Sequence, residues 1–293
     1  MKFDTRTDVT CYTIISRDVK LLDWCVTNAR DRAGFDHKWV IVNWINESDG
    51  NGHEKIHEWV KGQELLGYDI KYVPYRATEK RYKKVEQPDW PVDFGTERPT
   101  PVVDTGWFLE NLYACWNLGY SEAKTKYVAR MGSDQFFSDN WLRALVECER
   151  KHPSGVYHCW TVESDLARSS RHETKQWGHT PDDFDAIRFD SYANSQIHRY
   201  NNELGIRGDM CGLYYRHPSR GSQKRPDGVT WLQEKRLWEE FGPLSDEVNG
   251  EGVTGDVSYM DKIYDSGVVG YLCPRSISYH LVQGESRDMQ NNL

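Results

Sequence analysis

The sequence predicts an α/β fold with a Rossmann-like, mostly parallel central sheet flanked by helices. Three observations predict it. Short apolar, β-branched runs alternate with segments of helical spacing through the first half of the chain, the helical segments close at glycines, and polar side chains cluster where the strand-like runs end. In such a sheet the ligand crevice lies at the carboxyl ends of the strands.

The run VTCYTIIS (Val9 to Ser16) reads as a first strand, and KLLDWCVTNARDRAG carries helical spacing that stops at Gly34. HKWVIVNWI is the second strand, which completes a βαβ unit. GHEKIHEWVKGQELLG is an amphipathic helix with apolar Ile56, Trp59, Val60, Leu65 and Leu66, closing at Gly67, and YDIKYVPY is the third strand. Arg76 to Thr105 is proline-containing and charged, and is expected to be a long functional surface loop. GWFLENLYACWNLGYSEA is a helix ending near Gly119, and KYVARMG is the fourth strand. A helix is expected to start just after the turn at Asp134, in SDNWLRALVECERKH.

Beyond Ser154 the alternation fades. GVYHCWTVE and DMCGLYYRH are strand-like, Asp165 to Arg207 is polar and irregular, TWLQEKRLWEEFG and DVSYMDKIYDSG read as helices, and VVGYLCP and SISYHLV as two closing strands. No internal repeat or low-complexity tract is present.

Composition narrows the function. The 293 residues suffice for a substantial core, and the hydrophobic share of 38% rests heavily on 12 Trp, 17 Tyr and 9 Phe. A net charge of −8, from 45 acids against 37 bases, argues against coating nucleic acid through bulk charge. Two local basic stretches remain, Lys71 to Lys84 and Tyr215 to Arg225. The seven cysteines show no C-x-x-C pair or zinc spacing and point to reduced thiols and a cytoplasmic protein. No signal peptide is apparent, and no apolar stretch approaches the ~20 residues of a membrane span.

Three residues stand out chemically. Asp134 ends a strand where a divalent cation can bridge a carboxylate to a diphosphate; alone, it reads first as a turn or capping acid. Asp256 follows Gly255 at a helix start, as a cap or a general base. His280 shares a polar strand face with Ser276 and Ser278, which suits a cleft, although a single histidine also serves as structure. Arg130, in the last turn of an otherwise apolar strand, needs a partner, either phosphate or a carboxylate such as Asp104.

Taken together, their order and spacing resemble the nucleotide-sugar-dependent glycosyltransferases of the GT-A fold, the family 2 group in particular. FLENLYACWNLGYSEAKTKYVARMGSDQF is similar to that family's helix and strand leading to an Asp-x-Asp motif. LWEEFGPLSDE resembles its aromatic-Gly-x-acid segment, and GDVSYMDKIYDSGVVGYLCPRSISYHL its closing run from acid to histidine. The resemblance implies a donor-binding half over residues 1–150 and an acceptor-binding, catalytic half over 151–293 of one domain. It implies that Asp134 and His280 hold a divalent metal, Mn²⁺ or Mg²⁺, and that Asp256 is the catalytic base. Donor contacts are expected from Ser16, Arg17, Asn43, Trp44, Asn111, Arg130 and Ser133, and acceptor contacts from Cys211, Gly212, Tyr214 and Glu251. Two departures are plain: Gly132 stands where the motif's first acid belongs, and Asn43 and Trp44 stand where many members carry an acid that reads uracil.

The implied activity is inverting transfer of a sugar from a nucleotide-sugar donor to an acceptor hydroxyl, on a glycan or small molecule. The tyrosines interleaved in the basic stretches leave open a modified base in DNA as acceptor. A nucleotidyltransferase is the rival of another class, but IISRDVK lacks the Gly-rich phosphate loop such enzymes carry. An inactive nucleotide-sugar-binding module is the other, with Gly132 as its sole argument.

Overall fold

The computed structural model describes residues 8–46, 50–79, 82–83, 102–103, 105–164, 173–207, 214–215, 225–226, 230–245 and 255–281. The elements in order are β1 Val9–Ile15, α1 Val19–Asp31, β2 Lys38–Ile45, α2 Gly52–Leu65, β3 Ile70–Arg76, β4 Tyr82–Lys83, β5 Val102–Val103, α3 Thr105–Glu122, β6 Tyr127–Arg130, β7 Gln135–Phe137 and α4 Trp141–Lys151. There follow β8 Val156–Ser164, β9 Glu173–Lys175, α5 Ala186–Arg199, β10 Ile206–Arg207, β11 Tyr214–Tyr215, β12 Arg225–Pro226, β13 Trp231–Glu234, α6 Lys235–Phe241, α7 Gly255–Asp265 and β14 Gly270–His280.

One sheet runs β3-β2-β1-β6-β13-β8-β14-β10, with β7 added to β14 and β9 to β8. β3, β2, β1 and β6 are mutually parallel, β13 is antiparallel to both its neighbours, and β14 is again parallel to β8. From β1 the chain turns to β2 and β3 on one side and later returns to β6 on the other, so β1 and β6 flank the switch point where such sheets bind ligands.

The helices bury apolar stripes on both faces. Leu22, Cys25 and Val26 of α1, Ile56 and Val60 of α2, and Trp141, Leu142 and Leu145 of α4 share one core. Trp107, Tyr113, Trp116 and Tyr120 of α3 pack with Leu237, Tyr259 and Ile263 of α6 and α7 in a second. Phe189 and Ala193 of α5 join a third, with Val162, Ile277 and Tyr279.

Five expectations are corrected. Asp134 does not lead directly into a helix, because β7 intervenes and α4 starts after Asn140, a left-handed residue at φ 60°. The region expected to be irregular contains α5, whose buried face is only Phe189 and Ala193. TWLQEKRLWEEFG is not all helix: Trp231–Glu234 fills the gap between β6 and β8, and α6 starts at Lys235. The two closing strands are one, β14, whose pairing with β8 shifts between Cys273 and Ile277 around Pro274. α3 passes Gly119 and ends at Glu122. Most of the expected loop from Arg76 to Thr105 lies outside the described residues, as does Asp104.

Candidate functional site

After β6 the chain turns through Met131 to Asp134, and the buried Gln135 side chain pins the turn. Its Oε1 accepts from the Gly132 N–H at 2.9 Å and from Thr230 Oγ1, and its Nε2 donates to Ser278 Oγ at 3.2 Å. The Leu281 N–H donates to the Asp134 carbonyl at 2.9 Å, which fixes the end of β14 against the turn. Strand pairing then sets Gln135, His280 and Glu163 in one row across β7, β14 and β8. Cross-strand neighbours in register point to the same face, so three polar side chains from distant parts of the chain meet there.

His280 occupies the middle of that row. Its Nε2 lies 3.2 Å from Asp134 Oδ2 and its Nδ1 lies 3.6 Å from Glu163 Oε1. The His280 side chain is 23% exposed and both carboxylates 12%. Burial alone pulls the imidazole pKa down, but Asp134 and then Glu163 outweigh it and push the group up to about 10. Asp134 and Glu163 approach opposite nitrogens of the ring. Among the described residues no set of three or more His, Cys, Asp and Glu side chains is disposed to hold a metal ion.

A second cluster lies on the α3/α7 face. Tyr12, Arg130, Trp231 and His158 form another cross-strand row. The Arg130 guanidinium is stacked between the indoles of Trp116 and Trp231, 3.2 and 4.1 Å from the ring centroids. A desolvated cation over an indole gains about 2 kcal/mol, which offsets part of the cost of burying the charge. Burial lowers the Arg130 pKa, with Tyr12, Asp256, Tyr120 and Tyr113 acting in the opposite direction, and Nη1 is buried without a hydrogen-bond partner. Asp256 sits in the first turn of α7, where Tyr113 Oη donates to its Oδ1 at 3.2 Å. Gly255 brings that helix start against the chain after α6: a Cβ there would lie 1.8 Å from the Ser245 carbonyl oxygen.

The other expected donor residues are placed as follows. Asn43 is fully buried; its Nδ2 donates to the Ile15 and Ser16 carbonyls at 3.0 and 2.7 Å, and its Oδ1 accepts from Tyr72 Oη at 2.8 Å. It pins the chain leaving β1, where Ser16 is buried and Arg17 half-buried. Trp44 packs in the core against Trp107 and Phe108. Asn111 is also buried and binds Thr78, Tyr75 and the Trp107 carbonyl, tying the end of β3 to α3. Ser133 is half-buried in the turn before Asp134. Of the acceptor residues, Cys211, Gly212 and Glu251 lie outside the described residues, and Tyr214 is placed by its backbone on β11. In the first basic stretch Lys71 pairs with Glu122; the second lies almost entirely outside the described residues.

Three participants escaped the sequence reading: Glu163, Gln135 and Tyr113. Glu163 carried a signal, an acid closing the buried run GVYHCWTVE at a strand's carboxyl end. Gln135 and Tyr113 carried none, because their partners are remote in sequence.

No family model and no curated protein matches the sequence. Among solved structures, that of GalNAc-T7 with UDP, GalNAc and Mn²⁺ aligns with 97% of this chain at a TM-score of 0.52 and 16% identity. The fold is GT-A-like. The aligned part amounts to 45% of that protein's chain. In the GT-A-like sheet described above, Asp134 and His280 offer one carboxylate and one imidazole, close enough to share an ion. That donor set fits a hard cation that completes its shell with diphosphate oxygens and water. No helix among the described residues is long and apolar enough to cross a membrane.

Proposed function

We propose that the protein is a glycosyltransferase that moves a sugar from a nucleotide-sugar donor to the hydroxyl of a glycan or small-molecule acceptor, with inversion. The observation that carries this reading is the approach of His280 Nε2 to Asp134 Oδ2, 3.2 Å, beside the turn after β6 of a GT-A-like sheet. Asp134 and His280 would hold a divalent cation, Mn²⁺ or Mg²⁺, which when bound neutralises charge on a nucleoside diphosphate leaving group. A solved structure of similar fold, GalNAc-T7, contains UDP and Mn²⁺, which supports the choice.

The chain's own residues supply the rest. Asp256, oriented by Tyr113, takes the proton from the acceptor hydroxyl as it attacks the anomeric carbon. Arg130 offers a charged donor to the leaving diphosphate from its seat between the two indoles. Ser16, Arg17 and Ser133 contact the donor directly. Asn43, Trp44 and Asn111 act behind them: Asn43 holds Ser16, and the other two fix the ends of β2 and β3. Cys211, Gly212, Tyr214 and Glu251 complete the acceptor side.

Donor hydrolysis is the test. A panel of nucleotide sugars incubated with the protein, with Mn²⁺ and with chelator, should reveal one donor hydrolysed in a metal-dependent way. No hydrolysis of any donor and no nucleotide-sugar binding by calorimetry would sink the proposal. With the donor in hand, Asp256→Asn should lower transfer by about 10²-fold or more while donor affinity stays within about twofold. Equal loss of both would remove Asp256 from the base role.

A further inference from the structure

Gly132 leaves the site with one acid fewer than the Asp-x-Asp pattern, and Glu163 is the carboxylate nearest to making up the difference. It is the penultimate residue of β8, pairs in register with His280, and is buried. A buried carboxylate needs a cationic or hydrogen-bonding partner. His280 Nδ1, 3.6 Å from Glu163 Oε1, is a buried atom with no hydrogen-bond partner. That spacing lies within ion-pair range and closes to a hydrogen bond with a small rotation of the ring.

We propose that Glu163 is a positioning residue: it accepts the Nδ1–H of His280, aims Nε2 toward Asp134 so that its lone pair would be available to a cation that replaces the proton there, and supplies the negative charge that Gly132 omits. The inference rests on the reading of Asp134 and His280 as cation ligands. Glu163 cannot itself be a third ligand in this arrangement, since it faces the opposite nitrogen from Asp134. A histidine that binds a cation through one nitrogen commonly donates from the other to a carboxylate, which fixes both ring orientation and tautomer. Gly132 does not stand in the way of a test by charge relocation. It is not among the glycines of positive φ, so an acid can be introduced there without left-handed strain.

The experiment is a Mn²⁺ titration of the full chain followed by the electron paramagnetic resonance of free Mn²⁺, run with and without UDP. Glu163→Gln should weaken Mn²⁺ binding about tenfold or more, the usual effect of losing such a partner. Gly132→Asp added to Glu163→Gln should recover part of that loss; no recovery overturns the charge role. His280→Ala and Asp134→Asn are measured in parallel. If these two weaken Mn²⁺ and Glu163→Gln does not, Glu163 has no positioning role and the cation reading survives. If neither weakens Mn²⁺, the cation reading falls and the inference with it. A measurement on the unmodified protein guards against misfolded variants. With Mg²⁺ saturating, long-range ¹H–¹⁵N correlation of His280 should show the Nδ1–H tautomer, and the Nε2–H tautomer overturns the proposal.

Discussion

His37 shows how much one buried side chain can impose on stability. Its Nδ1 lies 3.0 Å from the Phe35 carbonyl, its ring packs against Phe35 and Trp39, and its Nε2 is buried without a partner. A proton on Nε2 would have no acceptor, and burial therefore pulls the group down to about 4, with Arg30 adding to the effect and Phe35 and Asp36 opposing it. The folded pKa is below the unfolded value of about 6.5, so the stability His37 contributes is complete above pH ~6.5 and is lost as pH falls toward ~4. Urea unfolding of His37→Gln at pH 7 and pH 4.5 should show a smaller loss between the two pH values than the wild type shows. An identical loss would mean that His37 does not titrate in this window. At this scale the sequence disclosed the unusual residues but not their partners. Arg130 was conspicuous as a charge in a buried strand, yet its indole sandwich depends on Trp116 and Trp231 arriving from a helix and a distant strand. Asn43 was expected to contact the donor, whereas the Ile15 and Ser16 carbonyls and Tyr72 take up its amide.

Among the elements, α3 owes its seat on the sheet to a glycine. A Cβ at Gly119 would lie 2.3 Å from Tyr12 Cδ2, and the Tyr12 ring is fully buried and held edge-on against Tyr120. Alanine at 119 gains about 1 kcal/mol of helix propensity. Overpacking a core costs about 1–3 kcal/mol, and here the ring has nowhere to move, so the steric effect wins. Gly119→Ala should lower the midpoint of chemical denaturation, and an unchanged or higher midpoint would show that α3 slides to accommodate it. The first-half elements were legible because their apolar spacing is strong and each is bounded by turn residues. β13 was not, because its helix-forming residues are overridden by the ladder partners waiting on both sides in β6 and β8. α5 escaped notice because its only buried residues, Phe189 and Ala193, make one short i, i+4 contact in a polar stretch.

The whole molecule joins its two helical layers through one sheet, and its parts should open in a definite order. β1, β6, β13 and β8 are covered on both faces, while α5 is held by buried Phe189 and Ala193, by the partly buried Ala186, Tyr192 and Ile197, and by one ion pair, Arg32–Asp190. Exposed ion pairs contribute little, about 0–1 kcal/mol each. Hydrogen exchange should therefore find the slowest amides in β1, β6, β13 and β8 and much faster exchange in α5 under native conditions; equal protection would mean that α5 opens only with global unfolding. The α/β class and the parallel pairing of the first strands followed from the strand and helix alternation, and Asp134 and His280 were named together through the resemblance. The row that holds them did not follow, since register across β7, β14 and β8 is written in no local pattern. The irregular stretch of β14 between Cys273 and Ile277 gives that register its weight. Side chains alternate along a strand, so one residue lost or gained there would present Tyr279 or Leu281 where the imidazole now stands. Over that stretch the chain tolerates changes of letter far better than changes of length, because the distance counted from Cys273 decides which side chain is delivered to Asp134.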